Sequence, residues 1–341
     1  MMFKKNILVT GGAGFIGANF VLYFLEKYPE YRIINLDKLT YAGDLSNLED
    51  ANKFENYVFA QGDICDKNLV ERLFKEYDIN GVIHFAAESH VDNSISGPEV
   101  FIKTNIEGTF NLLEMARKFW MDAPNQAKEE YKDARFHHIS TDEVYGTLGD
   151  TGLFREDTPY APNSPYSASK ASSDFIARAY HHTYGMNVTM SNCSNNYGPM
   201  QHDEKLIPVI IRKALNHQEI PIYGDGKNIR DWLYVLDHCT GIDLVYHKGI
   251  SGESYNVGGN NEKNNLEVVS EICSILDEIK PLANNKKYKD FITFVKDRAG
   301  HDKRYAIDAT KITKELGWSA EENFKTGIRK TINWYLEKYN K

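Results

Sequence analysis

An α/β protein with a doubly wound parallel sheet and a smaller C-terminal α/β domain is predicted by three features of the sequence. Strand-length apolar runs alternate with helix-length amphipathic segments through the first half. A glycine-rich stretch, TGGAGFIG, directly follows the first of those runs. Beyond about residue 191 the alternation loosens into short, turn-rich pieces such as NNYGP, YGDGKN and NVGGNN.

The run at 7–10 is the first strand. Residues 15–28 follow with Phe15, Ile16, Phe20, Phe24 and Leu25 near helical spacing, and Pro29 ends the helix. Residues 32–37 form the second strand; 57–61, 81–87 and 136–141 are further strands, with helices at 67–77 and 99–119 between them. The polar stretch 121–134 reads as a surface excursion. A helix at 164–184 and a strand at 187–191 complete a first domain, 1–191, of the Rossmann type. The second domain, 192–341, closes with helices at 266–279 and 324–339, and 232–247 is a candidate to return to the first domain.

The 341 residues are 42% apolar and 26% charged, the balance of a soluble globular chain with ample material for a core. A net charge of −8 offers no basic field for a polyanion, so no nucleic-acid partner is expected. Cys65, Cys193, Cys239 and Cys273 lie far apart with no C-x-x-C pair, which reads as reduced thiols and a cytoplasmic location. No apolar stretch approaches the ~18 residues of a membrane span, and the chain enters a strand early, so neither a signal peptide nor a membrane partner is expected. The eleven histidines show no metal-site spacing, and no metal is expected.

In TGGAGFIG, Gly12, Gly14 and Gly17 fit G-x-G-x-x-G, while Gly11, Gly14 and Gly17 fit G-x-x-G-x-x-G. Residues without side chains let the backbone turn tightly and approach a pyrophosphate, which then sits at a helix N-terminus. Asp37 lies 37 − 17 = 20 residues beyond the last glycine, at the end of the second strand, where a carboxylate accepts from a ribose 2′-hydroxyl; that position favours NAD over NADP. Capping of a turn is the structural alternative for Asp37. Asp63 and the alanine pair Ala86-Ala87, after the third and fourth strands, also fall at carboxyl ends, where such sheets bind ligands.

Tyr166 and Lys170 are spaced i,i+4 on the helix at 164–184 and share a face. A tyrosine near pKa 10 is a poor base, but a neighbouring ammonium favours its phenolate. Thr141 ends the strand at 136–141 and is followed by Asp142 and Glu143 in TDEVYG. Two adjacent carboxyl groups suit a reaction that removes a proton from carbon and protonates a departing hydroxyl, if one is neutral and the other ionised. The competing reading of Thr-Asp-Glu is a helix start, but VYG and the LGDTG after it do not continue as a helix.

TGGAGFIG, Asp63, the alanine pair, Thr141 and YSASK, in that order and spacing, resemble the extended short-chain dehydrogenase/reductase family. DKLTYAG, AAESHVD, TDEVYG, NNYGP, EKLIP, PIYGDG, RDW and AGHDKRYAID extend the resemblance to its nucleotide-sugar 4,6-dehydratases, over nearly the whole chain. The resemblance implies a lyase with a recycled NAD, acting on a thymidine-linked or similar nucleotide-linked glucose. It makes Tyr166 the base at the carbon 4 hydroxyl, Lys170 its support, Thr141 a hydrogen-bond partner of that hydroxyl, Glu143 the base at carbon 5 and Asp142 the acid at carbon 6. It extends the cofactor set to Phe15, Ile16, Lys38, Leu39, Thr40, Ile64, Phe85, Ser89, Thr104 and Asn196. For the nucleotide sugar it implies Ser89, Asn195, Lys205, Leu206, Pro221, Ile222 and Tyr223, with Arg230, Asn265, Arg298 and His301 toward the diphosphate. It also implies a homodimer through the helices at 99–119 and 164–184. Ala299 and the pair His202-Asp203 depart from the family pattern and bear on base preference. The rival readings are a 4-epimerase on the same scaffold and a non-catalytic dinucleotide sensor, for which the set Thr141, Asp142, Glu143, Tyr166 and Lys170 has no use.

Overall fold

The computed structural model describes residues 3–297 and 302–339; Arg298, Ala299 and His301 lie outside the described residues. The chain opens with β1 (Lys5–Thr10), α1 (Phe15–Lys27), β2 (Tyr31–Asp37), β3 (Tyr57–Gln61), α2 (Lys67–Tyr77) and β4 (Gly81–His84). Short helices α3 (Val91–Ser96) and α4 (Glu99–Phe101) lead through a π-helical stretch, Ile102–Gly108, into α5 (Thr109–Trp120). A small hairpin of β5 (Met121–Ala123) and β6 (Gln126–Ala127) precedes β7 (Arg135–Thr141), α6 (Pro165–Tyr184) and β8 (Val188–Cys193). There follow β9 (Asn195–Tyr197), α7 (Leu206–Leu215), β10 (Ile220–Tyr223), β11 (Ile229–Tyr234), α8 (Val235–Lys248) and β12 (Ser254–Val257). The chain ends with β13 (Glu262–Asn264), α9 (Asn265–Ile279), β14 (Ile292–Val295), α10 (Thr310–Leu316) and α11 (Phe324–Tyr339).

Seven strands pair in parallel in the order β12-β8-β7-β4-β1-β2-β3. The chain first builds outward from β1 to β3, then returns to build the other side from β4, so the order reverses between β1 and β4. Both faces of the sheet are covered, and its central strands β1 and β4 carry apolar runs, Ile7 to Val9 and Val82-Ile83. One face packs Phe20, Phe24 and Leu25 of α1 with Cys239, Ile242 and Tyr246 of α8. The other packs Val70 and Phe74 of α2, Leu112 and Leu113 of α5 and Ala177 of α6. A separate core joins α7, α9 and α11 with β10 and β11 through Ile210, Ile222, Trp232, Ile272 and Ile328. The later part of the chain thus returns to the sheet through α8 and through β12, which pairs with β8.

Helix ends explain where the elements stop. Ser164 and Ser167 form a capping box with Pro165 in the first turn of α6, and Gly185, at φ +69°, ends that helix in the left-handed conformation only glycine takes freely. The fourth strand stops at His84, three residues short of the expected 81–87, and Phe85 to His90 run as a loop. The segment after Thr141 also differs from expectation. Thr141 does cap a helix, accepting from Glu143 N, but only a single 3₁₀ turn, Asp142–Tyr145, which Gly146 ends at φ +92°.

Candidate active site

The carboxyl ends of β1, β2, β3, β4, β7 and β8 open into one cleft at the strand reversal, where a doubly wound sheet binds ligands. Gly11, Gly14, Phe15, Ile16 and Gly17 form its floor after β1. Gly11 sits at φ +72°, and a Cβ there would lie 2.6 Å from Ala86 N; a Cβ on Gly17 would lie 2.2 Å from the Gly11 carbonyl oxygen. Gly14 is the N-cap of α1 and offers no side-chain acceptor, and no acid stands in the first turn. The backbone N–H groups at that end therefore face the cleft unblocked, a cradle that fits the pyrophosphate of a dinucleotide.

Asp37, Lys38, Thr40, Asp63 and Ile64 line the end of the cleft beyond β2 and β3. Both oxygens of Asp37 take backbone N–H groups, Oδ2 from Ala13 over 2.9 Å and Oδ1 from Leu39 over 2.8 Å. The turn-capping role is thus real, and each oxygen keeps a second lone pair for a ligand. Leu39, held at φ +58°, belongs to this turn and does not line the cleft. Burial pushes the Asp63 carboxyl up, but the Cys65 N–H and the Lys38 ammonium, 2.9 Å away, hold it below its ordinary value. Phe85, Ala86, Ala87, Ser89 and Thr104 line the middle of the cleft, and Asn195, Asn196 and Lys205 the far wall.

Thr141, Asp142, Glu143, Tyr166 and Lys170 converge at the inner end. Thr141 contributes its hydroxyl to Asp142 Oδ1 over 3.4 Å and accepts the Glu143 N–H. Asp142 is 2% exposed, and its Oδ2 has no hydrogen-bond partner. Burial, then the neighbouring Glu143 and Asp231 carboxyl groups, push Asp142 well above the usual carboxylate range, against the pull of Arg230 and Thr141. That shift favours the protonated form, the form a general acid needs. Burial and the charge of Glu143 likewise raise Tyr166, so its phenol is protonated in the ligand-free cleft. Lys170 Nζ donates to the Ile139 carbonyl over 2.9 Å; burial lowers its proton affinity and Asp174 raises it.

The residues expected to meet the nucleotide sugar divide. Ser89, Asn195 and Lys205 are in the cleft wall, and Lys205 Nζ bonds the Ser89 carbonyl oxygen across it. Leu206 opens α7; Pro221, Ile222 and Tyr223 form β10, paired with β14; Asn265 opens α9; none of these lines the cleft. Arg230 lies 6% exposed against the Tyr305 ring, 4.3 Å from its centroid, and donates to the Asp302 and Ile229 carbonyls. Sequence reasoning passed over Asp231, although it lies inside the RDW motif. It is 1% exposed, accepts from the Gly259 and Asn261 N–H groups, and adds to the field that raises Asp142.

The family model described as GDP-mannose 4,6 dehydratase matches residues 8–331. A dTDP-glucose 4,6-dehydratase of Xanthomonas campestris is 55% identical over 329 residues, covering 96% of this chain and 92% of that one. Among solved structures, a Bacillus anthracis dTDP-glucose 4,6-dehydratase in complex with NAD superposes with a TM-score of 0.86 at 47% identity, over 98% of each chain. A Streptomyces venezuelae dTDP-glucose 4,6-dehydratase, also with NAD bound, superposes with a TM-score of 0.87 at 43% identity, again over 98% of each chain.

Proposed function

The chain belongs to the GDP-mannose 4,6 dehydratase family, and from that premise we propose that it removes water from dTDP-glucose to give dTDP-4-keto-6-deoxyglucose, with NAD as cofactor. The chemistry NAD would supply when bound is removal of a hydride from carbon 4 and its return to carbon 6, leaving no net change in the cofactor. The turn made by Gly11, Gly14 and Gly17 brings the first N–H groups of α1 to its pyrophosphate, and Asp37 takes the adenosine ribose.

With NAD bound, its positive charge would offset the burial that holds Tyr166 protonated and release the phenol proton to solvent; the phenolate then accepts the proton of the sugar's 4-hydroxyl, which Thr141 orients. With carbon 4 a ketone, the carbon 5 proton is acidic, and Glu143 removes it. Asp142 gives its proton to the hydroxyl leaving carbon 6, so that water departs and the charge balances. The observation that carries this reading is the buried Asp142, its carboxyl pushed well above the usual carboxylate range, lining the cleft beside Glu143. Simple alcohol oxidation or 4-epimerisation has no step for such an acid. Ser89 and Asn195 hold the sugar side, Lys205 and the segment Pro221 to Tyr223 meet the nucleoside, and Arg230 and Asn265 stand toward the diphosphate.

The active unit is a homodimer. Ile95, Val100, Ile102, Phe110 and Phe175, on the run from α3 to α5 and on α6, are each more than 40% exposed and supply an apolar face for a second subunit. The protein works in the cytoplasm; among the described residues no helix is long and apolar enough to cross a membrane.

Proton NMR of the product from dTDP-glucose in deuterated water, with no NAD added, tests the reading. A new methyl signal with deuterium at carbon 5 is expected. A product that keeps its 6-hydroxyl and is inverted at carbon 4 would return the protein to the epimerases.

A further inference from the structure

Asp174 stands one helical turn beyond Lys170 on α6, on the same face, and is 2% exposed. Three side chains donate to its carboxylate: His138 Nε2–H over 2.9 Å, the Ser140 hydroxyl over 2.7 Å and the Tyr160 hydroxyl over 3.0 Å. His138 and Ser140 lie on one face of β7, immediately before Thr141. Asp174 thus joins the helix of Tyr166 and Lys170 to the strand that ends in the reacting cluster, and three donors surround it.

Lys170 is almost as buried, 5% exposed, and a buried ammonium without a counter-charge gives up its proton. The other titratable groups around it carry no negative charge to spare. His84 on β4 and His138 on β7 are kept neutral by burial, and the Cys193 thiol on β8 is pushed up to about 12 by burial. Tyr160 and Tyr166 are phenols raised by burial, and Asp142 is an acid whose protonated form burial favours. Glu143 is the remaining acid, and its field acts on Tyr166 and Asp142.

We propose that Asp174 is a positioning residue for the reaction, its carboxylate being the counter-charge that holds Lys170 as an ammonium beside Tyr166. The inference rests on the dehydratase reading, whose own failure would show as wild-type protein that forms no methyl product. Asp174→Asn keeps the shape and removes the charge, so Lys170 loses its proton at lower pH. The alkaline limb of the kcat profile on dTDP-glucose then moves down by about one pH unit, the lower end of what one nearby charge does, while KM stays near its wild-type value. Ser140→Ala removes one bond of the staple and leaves the charge, so its alkaline limb stays in place. If Asp174→Asn does not fold, Asp174→Glu decides: with the charge retained, kcat falls from displaced geometry while the limb stays with the wild type. An unmoved limb in Asp174→Asn, an equal displacement in Ser140→Ala, or a limb in Asp174→Glu lowered by a full unit overturns the proposal.

Discussion

The side-chain amide of Asn105 donates to the Ser169 hydroxyl over 2.8 Å, fastening the loop after β4 to the residue just before Lys170. The same side chain bonds both backbone groups of Glu88, accepting from its N–H over 2.8 Å and donating to its carbonyl over 3.0 Å. Asn105 lies within the π-helical stretch, a local irregularity of the kind that accompanies functional sites. Asn105→Ala strands the Glu88 N–H and C=O, while the Ser169 hydroxyl keeps its bond to the Tyr166 carbonyl; the change should cost roughly 2–6 kcal/mol at ~1–3 kcal/mol per unsatisfied buried group. Urea unfolding measures the loss; a change under 1 kcal/mol would mean that water takes over those bonds.

Asp142 is expected to trade stability for chemistry. Its proton affinity in the folded protein is raised by burial, so its contribution to stability is complete below its ordinary value of 3.8 and is lost as the pH rises toward the folded value. Asp142→Asn should therefore lose about 10²–10⁴-fold in kcat while melting at a higher temperature than the wild type. The gain in melting temperature should be larger at pH 8 than at pH 4. A variant that melts lower at both would show the acid to be a structural member of the cluster.

Glu143→Gln separates the two half-reactions. Single-turnover mixing with dTDP-glucose should still raise the absorbance of reduced cofactor, because oxidation at carbon 4 uses Tyr166. Deuterium uptake at carbon 5 should fall by two orders of magnitude or more, on the scale of a lost general base. Unimpaired exchange would move the carbon 5 base elsewhere.

The sheet was legible because β1, β2 and β4 each carry a short apolar run, Ile7 to Val9, Ile33-Ile34 and Val82-Ile83, and these runs pair in register. The cleft residues that follow strand ends, from Gly11 to Thr141, could be placed by counting from those runs. Asp174 and Asn105 could not. Each is one polar residue on a helix, and its meaning comes from partners 34 and 64 positions away that only the fold brings near. Arg230 shows the opposite limit. Its motif drew attention, but its geometry, an arginine stacked on Tyr305, depends on a strand, β11, that pairs with both β9 and β13.

Gly17→Ala tests the cradle. The new methyl would meet the Gly11 carbonyl oxygen at 2.2 Å and Gly12 Cα at 2.8 Å, both backbone atoms that yield only if the turn opens. Purified variant should carry little cofactor, read as loss of NAD released on acid denaturation, while circular dichroism retains the α/β signal. Wild-type cofactor content would show that the pyrophosphate does not depend on this turn.

Asp243, on α8, is far from the cleft and tests the fold rather than the chemistry. Burial alone pushes its carboxyl up, but His247, Lys27 and Tyr23 hydrogen-bond it and hold it at about 2, below the ordinary 3.8. Lys27 Nζ stands 2.6 Å from Oδ2, the Tyr23 hydroxyl 2.7 Å from Oδ2 and the Tyr28 hydroxyl 2.9 Å from Oδ1, so the group ties α1 to α8 across one face of the sheet. A carboxyl lowered in the folded state adds stability that is present above 3.8 and is lost as the pH falls toward about 2. The displacement corresponds to roughly 2 kcal/mol at 1.36 kcal/mol per unit. Asp243→Asn should thus lower the unfolding free energy by about that amount at pH 7, and the gap from wild type should narrow as the pH falls below 3.8. Equal gaps at pH 7 and in acid would place the contribution in hydrogen-bond geometry, because only the charged part titrates away.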